Sequence, residues 1–109
     1  MKNGNIYLAH IVDATEKIKF YTADKDFESF INDTELQDAV IRNLEIIGEA
    51  SRRLPDSIKA SINLPWEEIS AMRNRIVHDY FEVNLKIIWK TATADILEVE
   101  KALSQHRPE

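Results

Sequence analysis

Apolar residues recur along this chain at intervals of three and four, the spacing of one helical face rather than the alternation of a strand. Leu8, Ile11, Thr15, Ile18 and Tyr21 fall on such a face, with Tyr7 and Ala14 beside them. They predict a first helix from residue 5 to about 22. Asp24 to Asn32 is a polar connection carrying an apolar Phe27-Phe30-Ile31 patch, which predicts a short helical turn over one end of the core. A second helix opens at Asp33 or Thr34, where Thr34-Glu35-Leu36-Gln37 has the form of a capping box. Leu36, Val40, Leu44, Ile47 and Leu54 make its stripe, and Pro55 marks its stop. Ser57 to Ile62 reads as another short helix. Pro65 suits the first turn of a third helix, which weakens near Asp79 to Val83. Asn84 is placed to cap a fourth, whose stripe is Leu85, Ile88, Trp89, Ala92, Ile96, Val99 and Leu103.

Only two glycines and three prolines interrupt these patterns. The reading is all-α: an antiparallel up-and-down four-helix bundle with short extra helical turns, one domain over residues 1–109. A chain of this length with 44% hydrophobic residues builds a modest core, so association of copies would help it. Ile41, Glu45 and Gly48 form a second seam on helix two. A glycine inside a helix costs about 1 kcal/mol against alanine, so it suits a place where another backbone comes close. The seam reads either as a helix-to-helix contact between subunits or as an ordinary exposed isoleucine beside a neutral glycine.

The third helix breaks its own pattern. With Arg73 at zero and 100° per residue, Trp66, Ile69, Ile76, Val77 and Tyr80 all lie within about 60° of it. An arginine thus stands at the centre of an apolar stripe, where an unpaired buried charge would cost several kcal/mol. A carboxylate partner (Glu45 or Glu49 of helix two), a subunit boundary or a polar cleft would make the position tolerable. Asn74 and His78 lie about 100° and 140° round the same helix. Arginine, amide and imidazole along one arc suit a phosphate: a permanent cation, a hydrogen-bonding amide, and a group that moves a proton near neutral pH.

Charge and missing residue types narrow the chemistry. The net charge of −5 argues against a nucleic-acid binder working by overall charge. Its distribution is uneven: −4 over residues 1–41, +1 over 42–78 and −2 over 79–109, so the basic residues gather around Arg73. The absence of cysteine excludes disulfides and thiolate metal sites and fits a reducing cytoplasm. No apolar run is long enough for a membrane span, and Met1-Lys2-Asn3-Gly4 leads into no signal-type core. There is no metal-ligand spacing, no glycine-rich phosphate loop and no evident nucleophile. What remains is metal-free acid–base work beside a cation.

Arg73-Asn74-Arg75-Ile76-Val77-His78-Asp79-Tyr80-Phe81 resembles the RX4HXY motif of HepT-type proteins of the HEPN superfamily. Pro65-Trp66, the helix-two phrase Asn43-Leu44-Glu45-Ile46-Ile47-Gly48-Glu49-Ala50 and Trp89 resemble the same family, so the likeness spans nearly the whole chain. The resemblance implies a homodimeric HEPN bundle with both motifs facing one cleft. It implies a metal-independent endoribonuclease toxin that cleaves RNA without a cofactor. Arg73 and His78 would be catalytic, with Asn74 in support. It also implies a partner, an MntA-type minimal nucleotidyltransferase antitoxin, that neutralises the toxin by adenylylating Tyr80. The alternative is a non-catalytic module that binds nucleotide or serves as scaffold for such a nucleotidyltransferase.

Overall fold

Helix α1 (Ile6–Thr22) begins where Asn5 turns its side chain back on the backbone, accepting from the N–H groups of Tyr7 at 2.8 Å and Leu8 at 3.3 Å. Those are two of the donors a helix start leaves without partners. The computed structural model describes the backbone of residues 5–81 and 84–105 and the side chains of residues 5–74 and 84–105. Ile11, Ala14, Thr15 and Ile18 form the buried face of α1, as the spacing predicts.

The apolar patch after α1 is helix α2 (Phe27–Ile31), capped by Asp26, which accepts from Ser29 N–H at 2.8 Å. That bond holds the Asp26 carboxyl below the usual carboxylate range. Phe30 is fully buried and lies against Trp89, ring centroids 5.0 Å apart, so the short turn does cover the core.

Helix α3 (Thr34–Arg52) is capped one residue earlier than the capping box implies. Asp33 has the extended backbone of an N-cap, and its carboxylate accepts from Leu36 N–H at 3.0 Å. Thr34 is already helical, and Gln37 donates instead to the Phe30 carbonyl at 2.9 Å, tying α3 to α2. Asp33→Ala is therefore expected to cost about 1 kcal/mol, and Thr34→Ala about 0.5 kcal/mol or less. Thermal unfolding of the two variants side by side checks the assignment, and a larger loss in Thr34→Ala would reverse it.

Pro55 caps helix α4 (Asp56–Ser61), and Pro65 precedes helix α5 (Trp66–Phe81), its carbonyl accepting from Ile69 N–H at 3.0 Å. The Trp66 indole N–H lies 3.0 Å from both the Lys59 and Ile62 carbonyls, pinning the end of α4 to the start of α5. Helix α6 (Leu85–Lys90) and helix α7 (Ile96–Ser104) are joined by a π-helical turn, Thr91–Asp95. The sequence predicts one regular helix here; the wider turn adds a residue to the repeat. Thr91 and Thr93 hydroxyls donate back to the Ile87 and Trp89 carbonyls at 2.9 and 2.8 Å. Asn84 stands at the N-cap of α6 as expected, but its side chain makes no capping bond.

The four long elements α1, α3, α5 and α6–α7 form the up-and-down bundle, with α2 and α4 as the extra turns. Helix α3 is central, packed on α1 to one side and α5 to the other, while α7 closes on α1 and α6 packs on α5 and α2. Ile11, Ile18, Val40, Leu44, Ile47 and Ile88 are completely buried between them. An exposed ion pair, Lys19 to Glu100 at 2.8 Å, clips α1 to α7 and is worth about 1 kcal/mol or less. No described helix is long and apolar enough to cross a membrane.

Candidate active site

The site is built on the crossing of α3 and α5, and Gly48 sets that crossing. A Cβ placed on Gly48 would stand 3.1 Å from the Arg73 backbone nitrogen, 3.3 Å from the Ile69 carbonyl oxygen and 3.4 Å from Arg73 Cβ. The glycine is thus needed within the chain. At Gly48 of the Ile41–Glu45–Gly48 seam, the close backbone approach is that of α5 to α3 within one chain. Ile41 belongs to the core, being only 7% exposed.

The same contact explains the misplaced arginine. Trp66, Ile69 and Met72 of α5 are buried, but Arg73 is exposed. Its Cβ rests where Gly48 makes room, and the rest of the side chain lines an open groove. A long cationic side chain can start at an apolar contact and keep its head in water, so no buried charge arises. The expectation of an arginine inside the core is corrected in this way. The carboxylate partner is corrected too, because among the described residues neither Glu45 nor Glu49 pairs with Arg73. Glu49 instead accepts from Arg52 at 3.1 Å and from Arg53 at 3.0 Å. These two bonds hold its carboxyl below the usual range, Arg52 first and Arg53 second. Of the options the sequence left open, the carboxylate partner is not seen among the described residues, and a polar cleft is.

The groove has a volume of about 360 Å³. Helix α1 contributes Tyr7 and His10, whose rings meet edge to face with centroids 6.1 Å apart. Helix α3 contributes Arg42, Glu45, Glu49 and Arg53 above an apolar floor of Ile46 and Ala50. Three arginines against two glutamates make this a locally basic place on an acidic chain. Sequence reasoning missed Tyr7, His10, Arg42 and Arg53 as neighbours of Arg73. The signal was present: positions 42, 45, 49 and 53 are spaced by three and four, which is one helical face.

Asn74 is exposed beside Arg73. The side chains of His78 and Tyr80 lie outside the described residues. Both belong to α5, which stays helical through Phe81 and does not loosen at Asp79. Positions 73 and 78 therefore keep their helical register, about 140° apart and about 7.5 Å along the axis. Among the described residues no three histidine or carboxylate side chains gather so as to hold a metal ion.

A family model for HepT-like ribonucleases matches residues 11–106. The chain belongs to the HepT-like ribonuclease family. One relative, named "Probable ribonuclease HepT" from Thermococcus cleftensis, is 44% identical over 91 residues, covering 83% of each chain. Another, named "Putative RNase" from Caldanaerobacter subterraneus subsp. tengcongensis, is 40% identical over 106 residues, covering 96% of this chain and 95% of its own. No solved structure gives a significant match. The matched span includes positions 73 and 78, both on α5 of the bundle.

Proposed function

We propose that this protein is a metal-independent endoribonuclease of the HepT type, acting as the toxin of a toxin–antitoxin pair. The observation that carries the reading is the exposed Arg73 in a groove with two further arginines. A purely structural arginine on this stripe would be expected to sit in a buried ion pair. An exposed one beside Arg42 and Arg53 is free to meet a phosphate.

In this reading Arg73 holds the scissile phosphate by paired N–H bonds and stabilises the charge that builds up on it. The ribose 2′-oxygen attacks phosphorus, the bond from phosphorus to the 5′-oxygen breaks, and a 2′,3′-cyclic phosphate forms. One proton leaves the 2′-hydroxyl and one reaches the departing 5′-oxygen. His78 suits either transfer, and Asn74 orients it or the phosphate. The regular register of α5 separates positions 73 and 78, which favours a homodimer in which each copy supplies part of a composite site. A second copy would also bring a second imidazole, so that one acts as base and the other as acid.

Tyr80 is the handle for control. An MntA-type nucleotidyltransferase would transfer AMP from ATP to its hydroxyl, releasing pyrophosphate. The added negative charge and bulk would repel and occlude RNA. Two results are expected. RNA fragments carry 2′,3′-cyclic phosphate ends, and an otherwise identical 2′-deoxy oligonucleotide is inert. Cleavage that persists on the 2′-deoxy strand would overturn the mechanism. Binding of ATP or AMP with RNA left intact would favour the non-catalytic module instead.

A further inference from the structure

Glu45 is the unexplained group in the groove. It is half-buried, and among the described residues it has no hydrogen-bond or ion-pair partner. Its neighbour Glu49 is different, being engaged by Arg52 and Arg53. In a cleft that admits a polyanion, an unanswered carboxylate weakens binding unless the ligand itself donates to it. We propose that the groove between α1 and α3 is a nucleotide subsite, holding the RNA unit next to the phosphate at Arg73, with Glu45 reading its base.

The inference rests on the ribonuclease reading above and adds a specificity determinant to it. The volume of about 360 Å³ lies in the range of small-ligand pockets and suits one nucleotide unit. Tyr7 and His10, with rings at 87° to each other, form an aromatic corner on one wall. Bases stack on such rings whatever their identity, which gives affinity without selectivity. Ile46 and Ala50 supply an apolar floor for the stacked ring. Selectivity falls to the carboxylate, which accepts only from base edges that carry N–H groups. Guanine presents two adjacent donors, N1–H and the 2-amino group, which match the two oxygens of one carboxylate. Uracil presents one donor flanked by carbonyl oxygens that would face Glu45 unfavourably. The subsite is therefore assigned to guanine.

The test uses the intact protein and a randomised pool of RNA, with the cut ends sequenced, for wild type, Glu45→Gln, Tyr7→Ala and Tyr7→Phe. Wild type is expected to favour guanine at one position beside the cut. Glu45→Gln, which keeps the size of the side chain, should lose that preference by about tenfold or more. On a short guanine-bearing substrate, Tyr7→Ala should raise KM about tenfold, with most of its loss in KM rather than kcat, and Tyr7→Phe should restore it. Melting curves confirm that the variants are folded, and the Phe variant separates a missing ring from a damaged helix. Cleavage by wild type with no base preference, or an unchanged preference in Glu45→Gln, would overturn the subsite and leave the ribonuclease reading standing. A wild-type protein that cleaves no RNA would overturn that reading and the subsite with it.

Discussion

Arg73→Ala is expected to lower the rate of RNA cleavage by about 10²-fold or more while leaving the fold intact. The two halves of this expectation come from different parts of the side chain. Its Cβ touches the α3 crossing, and alanine keeps that atom. Everything beyond Cβ serves the groove, where the residue is exposed and makes no ion pair among the described residues. Stability should change by about 0.5 kcal/mol or less, as for ordinary surface substitutions. Arg73→Lys should recover only part of the rate, since an ammonium keeps the charge but loses the planar fork that grips two phosphate oxygens. Steady-state cleavage beside a melting curve separates the two halves. Full activity in Arg73→Ala would remove the arginine from the mechanism.

Gly48→Val should do the opposite, damaging the fold first and the site through it. The new Cβ would approach the backbone nitrogen of Arg73 at 3.1 Å and the Ile69 oxygen at 3.3 Å. Backbone atoms in a packed helix cannot swing aside as a flexible side chain could, so α5 itself must move. Overpacking of this kind costs about 1–3 kcal/mol. In a domain of this size each kcal/mol lowers Tm by about 4–8 °C. Gly48→Ala should fall between, because relief of the glycine penalty of about 1 kcal/mol offsets part of the crowding. The displacement acts directly at Arg73, and a shift of about 1 Å at a catalytic group can cost about 10²-fold in rate. Activity measured well below the melting transition should therefore drop in the valine variant by more than its unfolded fraction explains. A Gly48→Val protein as stable and active as wild type would contradict the role given to this crossing.

Much of the bundle was legible because helices bury stripes, and stripes are written in the spacing of apolar residues. The α1 face of Ile11, Ala14, Thr15 and Ile18 and the Phe30 patch over Trp89 follow directly from that rule. Details that depend on where a backbone group finds its partner were less legible. The cap of α3 lies at Asp33 because its carboxylate accepts from Leu36 N–H, while Thr34 is already helical and the Gln37 amide N–H donates to the Phe30 carbonyl. The π-helical turn at Thr91–Asp95 leaves the apolar stripe of α6 and α7 nearly unchanged, so periodicity alone could not reveal it.

The candidate site was half legible. Arg73 stood out because it broke a pattern, yet its environment came from Gly48, a residue on another helix with no side chain to signal a contact. The groove residues of α1 and α3 were hidden for a related reason. Tyr7, His10, Arg42 and Arg53 meet Arg73 only once three helices are packed. A charged residue on an exposed helical face gives no hint in sequence of which other face lies opposite.

The most direct measurement is RNA cleavage by the purified protein in EDTA, wild type beside His78→Ala, with the intact mass read on the same wild-type sample. The account predicts EDTA-resistant cleavage by unmodified wild type, reduced about 10²-fold or more in the variant. Unmodified wild-type protein that leaves RNA intact, or equal cleavage by His78→Ala, would contradict it.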